Sequence, residues 1–303
     1  MKLLDFEVEL GKRTQVGGLT VVPLIGAEYR TPAYLAGPEA FEAGLLEVEE
    51  LDPPEVPKLA VTNLSDLPVL LVEGEMLVGG DQNRTMNVTV LCPPRARTVV
   101  PVSCVEAGRW GARRTMSGRR KHAPGSLRAA KTSNLESRSD DVGARGTDQG
   151  LVWDEVSRQS MTHGVYSDTA ALDDVQEEVE ERISEQLERI EPQPNQVGVV
   201  CTIGDVVVGL DIFDRPSAMS QYLRAIVAGH ALDDMAESRG GDPIAAIERF
   251  LAQVDASRSD TGKGVGLGNE VLLRGALAGV GLSYGDHLVH LAAFPAPHDA
   301  GAA

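Results

Sequence analysis

Glu73 and Glu75 stand two residues apart in Val72-Glu73-Gly74-Glu75-Met76-Leu77-Val78-Gly79-Gly80-Asp81-Gln82-Asn83-Arg84, the densest polar string of the chain. On a strand this spacing puts both carboxylates on one face. Such a pair can hold a divalent cation, the one cofactor the pattern suggests, or divide acid and base roles through split pKa values. Glu73 and Glu75 are therefore the candidate catalytic residues. Gly79 and Gly80 permit positive φ and close backbone approach to a ligand. Gln82, Asn83 and Arg84 add side-chain amides and a guanidinium fork suited to carboxylate or phosphate. The same string also reads as a Gly-Gly-Asp turn with polar flanks. It is neither a P-loop nor a GxGxxG motif.

A second cluster is Pro101-Val102-Ser103-Cys104-Val105-Glu106-Ala107-Gly108-Arg109-Trp110. Cys104 is a nucleophile if a cation lowers its pKa, and otherwise a small buried hydrophobe. Glu106 would repel phosphate from a Cys-to-Arg cradle, which argues against a cysteine phosphatase. Glu106 and Arg109 are spaced to form an ion pair, and Trp110 can stack on a base or cover a core edge. A third cluster places Asp211 at a strand end and Asp214 before Arg215-Pro216. Asp214 is explained as a helix N-cap; Asp211 is not, so it is the better functional candidate. His287 and His290, three apart, do not share a strand face, and no zinc triad is visible.

These clusters need elements to position them. Residues 1–112 carry short Val- and Leu-rich runs between turns, including Gly18–Ile25, Gly44–Leu51, Lys58–Asn63, Pro68–Glu73, Asn87–Leu91 and Thr98–Ser103. That pattern predicts a β-rich half, a sandwich or a partly closed barrel. Residues 150–295 predict an α+β half integrated with the first. A helix near Leu151–Met161 precedes an amphipathic one from Leu172 to Ile190, with one apolar stripe and an acidic face. Hairpins follow at Gln196–Phe213 and about Glu270–Phe294, with helices after Asp214 and over Pro243–Val254 between them. The fold class expected is α+β, with a frayed tail over 296–303.

Composition narrows the function classes. The 303 residues are 42% hydrophobic and carry a formal net charge of -17, which excludes a disordered chain and argues against nucleic acid as a partner. No apolar run reaches the length of a membrane span, so no membrane partner is expected. Three scattered cysteines and no signal-like start point to a reduced cytoplasmic protein. The charge is uneven: residues 107–147 hold ten basic residues against three acids. With few large apolar side chains, residues 113–149 are expected to form a basic mobile loop. That loop either is simply solvated or recruits an anionic partner, and the acidic helix face is either solvated or its dock.

The strings around Glu73–Arg84, Cys104–Trp110 and Asp211–Arg215, with Trp153, resemble a bacterial domain of unknown function. It is the ADP-ribosylglycohydrolase and rhodanese-phosphatase-superfamily-associated protein domain. The likeness runs from about Leu4 to Phe294. It implies, by association alone, a role near ADP-ribose or NAD metabolism. The expected ligand is then a phosphorylated, nucleotide-like small molecule. Gly80, Gln82, Asn83, Arg84, Glu106, Arg109, Trp110 and Asp211 are the candidate ligand-binding residues. Arg84 and Arg109 would meet phosphate, Trp110 would stack the base, and Glu73 and Glu75 would act as base or metal ligands. The alternative is a non-catalytic β-rich interaction module in which the same residues are scaffolding. Convergence of these side chains on one cleft would separate the two.

Overall fold

The computed structural model describes residues 2–4, 6–28, 31–109, 116–135, 145–233, 242–285 and 287–296. The chain is α+β, as expected, but its two halves share their largest sheet. Ten antiparallel strands run β1 (Lys2–Leu3), β2 (Phe6–Leu10), β4 (Leu19–Gly26), β14 (Gln196–Ile203), β15 (Val206–Phe213), β19 (His287–Pro295), β18 (Leu277–Tyr284), β17 (Asn269–Arg274) and β16 (Arg258–Lys263), with β3 (Thr14–Val16) beside β4. The join is β4 against β14, from Leu19↔Ile203 to Ile25↔Gln196. Runs such as Val197 to Cys201 are apolar at every position because both faces of this sheet are covered. On one face lies α6 (Pro243–Ala256), capped by Asp242, which accepts from the Ile244 and Ala245 amides. On the other lies α5 (Pro216–Ala231), whose Met219, Tyr222, Leu223 and Ile226 fill the interface.

A second sheet of six strands runs β13 (Ser117–His122), β9 (Glu75–Val78), β10 (Arg84–Met86), β12 (Arg97–Cys104), β7 (Lys58–Asn63) and β6 (Leu46–Glu49). It curls into a partly closed barrel around Leu46, Val48, Leu59, Val61, Leu77, Met86, Val100 and Val102. The short helix α1 (Gly37–Glu42) packs against both terminal strands, β6 and β13. A three-stranded piece, β11 (Val90–Cys92), β8 (Val69–Leu71) and β5 (Leu35–Ala36), links this barrel to the large sheet.

The expected loop over 113–149 is not one where it is described. It contains β13 and α2 (Gly125–Ser133), and it leads into α3 (Gln149–His163). Composition misled because this segment buries paired charge besides its few apolar side chains: Lys121, Arg128, Lys131 and Arg145 are each at most 6% exposed. Lys121 hydrogen-bonds Asp173 and pairs with Glu177 of α4 (Leu172–Glu188), so part of the acidic face is a dock. The apolar stripe of α4, including Leu172, Val175 and Val179, faces the interior as its spacing predicts. The tail from residue 297 onward lies outside the described residues.

Candidate functional site

The first polar string splits in two. Gly74 has φ +84, which only glycine adopts without strain, and it breaks the strand between Glu73 and Glu75. The two carboxylates therefore do not share a face, contrary to the two-residue spacing. Glu75 turns toward α5. Its Oε2 accepts from the Val72 amide at 3.1 Å and lies 3.5 Å from the Tyr222 hydroxyl. Burial, with nothing cationic to offset it, raises its carboxyl from the usual range to about 8.

Glu73 turns the other way, into a buried ionic centre. Arg128 of α2 donates from Nε to Glu73 Oε2 at 2.8 Å, and from Nη1 and Nη2 to both oxygens of Asp211 at 2.9 and 2.6 Å. All three side chains are fully buried. Burial alone would push the Asp211 carboxyl up, but the guanidinium beside it holds it well below the usual carboxylate range. Lys131, one turn along α2, approaches Glu73 Oε1 at 3.4 Å and donates to the Met86 carbonyl at 2.7 Å. Burial lowers its amine to about 8. Two carboxylates thus face two cations.

Three histidines surround this core. His290 lies on β19, with Nε2 3.3 Å from Asp211 Oδ1 and Nδ1 2.8 Å from Thr89 Oγ1. In a neutral ring, an Nε2–H facing the carboxylate would leave Nδ1 to accept from the threonine hydroxyl. His230 of α5 stands 3.8 Å from Asp211 Oδ2, beyond hydrogen-bond reach. Among the described residues, the ring nitrogens of His122 and His230 have no hydrogen-bond partner. Burial first, and Arg128 second, hold His122 well below its ordinary value, so it is neutral. Glycines make room for these rings: a Cβ on Gly74 would lie 2.4 Å from His122 Cε1, and one on Gly209 2.3 Å from His230 Cε1.

The remaining motif residues form a separate frame around the turn between β9 and β10. Arg109 donates from Nε to Glu106 Oε1 at 2.8 Å, and from Nη1 to the Gly80 carbonyl at 2.8 Å. Its Nη2 reaches Glu106 Oε2, Asn83 Oδ1 and the Gly79 carbonyl. Asn83 Oδ1 also accepts from the Gly79 amide at 2.9 Å, and Glu106 Oε2 accepts from the Asn83 amide at 2.9 Å. Gln82 Nε2 donates to the Glu106 carbonyl at 2.8 Å. Burial would raise the Glu106 carboxyl, but these donors hold it below its usual range. Arg84 is 1% exposed; among the described residues it pairs with Glu50, at 3.6 Å, and its Nε and Nη1 have no hydrogen-bond partner. Cys104 is buried, donates to the Glu106 carbonyl, and burial pushes its thiol up, so it is an inert hydrophobe.

The candidate residues accordingly do not meet in one cleft. Glu73 and Asp211 join through Arg128; Gln82, Asn83, Glu106 and Arg109 join around Gly79-Gly80; Glu75 belongs to neither group. Trp110 lies outside the described residues. Asp214 is not the cap expected of it: α5 has no side-chain cap, and Asp214 instead accepts from Tyr34 and Thr31 and pairs with Arg215. Sequence reasoning missed Arg128, Lys131, His122 and His230; the basic residues were visible but placed in a mobile loop, solvated or recruiting an anionic partner. Among the described residues no cluster of three or more His, Cys, Asp or Glu is arranged to hold a metal ion, and no helix is long and apolar enough to cross a membrane.

The Gly80-Asp81 turn that this frame holds borders a concave surface of about 570 Å³. Glu47, Glu49, Glu50 and Asp52 line one side; Gly80, Asp81 and Met116 line the other. Glu50 ties the two sides, accepting from the Asp81 amide at 3.1 Å.

No curated protein and no solved structure matches the chain. One family model does, across residues 7–294, and with that coverage the chain belongs to the family described as ARG and Rhodanese-Phosphatase-superfamily-associated Protein domain.

Proposed function

We propose that the chain is a binding module in which the motif residues frame a groove rather than contact a phosphorylated ligand. The observation that carries this reading is Arg109. The guanidinium expected to meet phosphate makes five hydrogen bonds to Glu106, Asn83 and the Gly79 and Gly80 carbonyls. Arg84, the other expected phosphate contact, is buried beneath the same turn. The concave surface beside it carries carboxylates, which repel a diphosphate and favour a cationic ligand. A nucleotide such as ADP-ribose, the ligand that the sequence resemblance implied, is disfavoured on the same grounds.

Calorimetric titration of ADP-ribose and of NAD into the full chain, beside thermal melts of wild type and Arg109→Ala, tests this reading. The expected result is no binding heat, and a melting temperature for Arg109→Ala lower by several degrees. The loss of a charge-assisted network of this size corresponds to about 1–3 kcal/mol. A saturable ADP-ribose isotherm that Arg109→Ala abolishes without lowering the melting temperature would overturn it.

A further inference from the structure

The six-stranded sheet stops short of closing. β6 pairs with β7 alone and β13 with β9 alone among the described residues. The groove lies at this seam. One wall is β6 with the residues that follow it; the other is the Gly80-Asp81 turn with Met116, the residue before β13. An unpaired strand edge presents a row of backbone donors and acceptors that another extended chain can pair with.

Side chains at the seam alternate by the strand period. Leu46 and Val48 point into the barrel; Glu47 and Glu49 point out. Neither glutamate, nor Asp52 beyond them, has a partner among the described residues. Asp81 flanks the groove, and Glu50, where its walls meet, lies 3.6 Å from Arg84 Nη2. Leu51, Pro54 and Met116 add an apolar ledge between these charges. Lysine and arginine suit such a surface, because their aliphatic stems lie on the ledge while their heads reach the carboxylates.

We propose that the β6 edge takes up an extended, basic peptide segment of a partner protein as an added strand. This rests on the binding-module reading and names its partner. Backbone pairing to β6 supplies the extended geometry. Alternate lysine or arginine side chains meet Glu47 and Glu49.

The test uses a synthetic decapeptide of alternating lysine and valine, measured against the full chain by fluorescence anisotropy. Controls are the same peptide with alternate backbone amides methylated, its glutamate–valine counterpart, and spermine. Glu47→Lys/Glu49→Lys, a double variant of exposed positions, probes the surface without touching the core. Saturable binding of the lysine–valine peptide is expected, weakened at least about tenfold by the double variant and by amide methylation. No binding of that peptide overturns the proposal. So does equal binding by the methylated peptide or by spermine, which would make the site a receptor for ammonium groups without strand addition. ADP-ribose binding that depends on Arg109 would instead overturn the binding-module reading itself, so the two failures are distinguishable.

Discussion

Arg128 grips Asp211 with both terminal nitrogens of its guanidinium, at 2.9 and 2.6 Å, and neither side chain is exposed. The same guanidinium holds Glu73 through Nε. A residue from α2 thereby joins a turn beside the barrel to a central strand of the large sheet. Such a buried bidentate pair is weak evidence for net stability, because desolvation offsets the attraction. Its consequence is registry: the two sheets and α2 have one arrangement in which no charge at this centre is left alone.

Gly74 tests how closely that centre is packed. A Cβ there would sit 2.4 Å from His122 Cε1 and 2.6 Å from Arg128 Nε, at a positive φ. Gly74→Ala should cost more than about 3 kcal/mol in chemical denaturation. Gly164→Ala is the control: φ is +66 with open space around it, so it should cost about 1 kcal/mol. Equal costs would mean that the rings are not held against Gly74.

Glu75 should couple stability to pH in one direction. Burial raises its folded carboxyl to about 8 from an ordinary 4.5. Between those values the folded chain holds a proton that the unfolded chain has released, so this contribution is lost as pH rises through about 8. Glu75→Gln lacks the slope, which for one proton is at most about 1.4 kcal/mol per pH unit. Relative to wild type, the variant should gain stability as pH climbs. A constant difference in denaturant midpoints across that window would contradict this.

His122 should act with the opposite sign. Its folded pKa is held well below 6.5 by burial and by Arg128. The unfolded chain therefore binds the proton first, and stability is present above about 6.5 and lost as pH falls below it. His122→Gln should flatten the acid side of the stability profile. An unchanged acid slope in the variant would show that this ring does not titrate between the two states.

Much of the fold was legible in the sequence. The stripe of α4, the β14–β15 hairpin and most strands of the first half follow from apolar periodicity, because burial enforces it there. The second half of the basic segment defeated the same logic. Arg128, Lys131 and Arg145 looked like solvated charges because their partners, Glu73, Asp211 and Glu270, are 55 to 125 positions away. Composition counts apolar area and does not see compensation at that range. The candidate site failed for a more local reason: the two-residue rule for Glu73 and Glu75 assumes an unbroken strand, and Gly74 breaks it. Glu106 and Arg109, by contrast, form the ion pair that their spacing suggests.

A double-mutant cycle on Arg128→Met and Asp211→Asn, read by urea denaturation, tests most directly whether the motif residues serve one another. Each single change leaves a buried charge or polar group unpaired, at about 3–5 kcal/mol. The two together should cost much less than their sum, with a coupling energy above about 2 kcal/mol. Additive losses, with coupling under about 0.5 kcal/mol, would contradict the account.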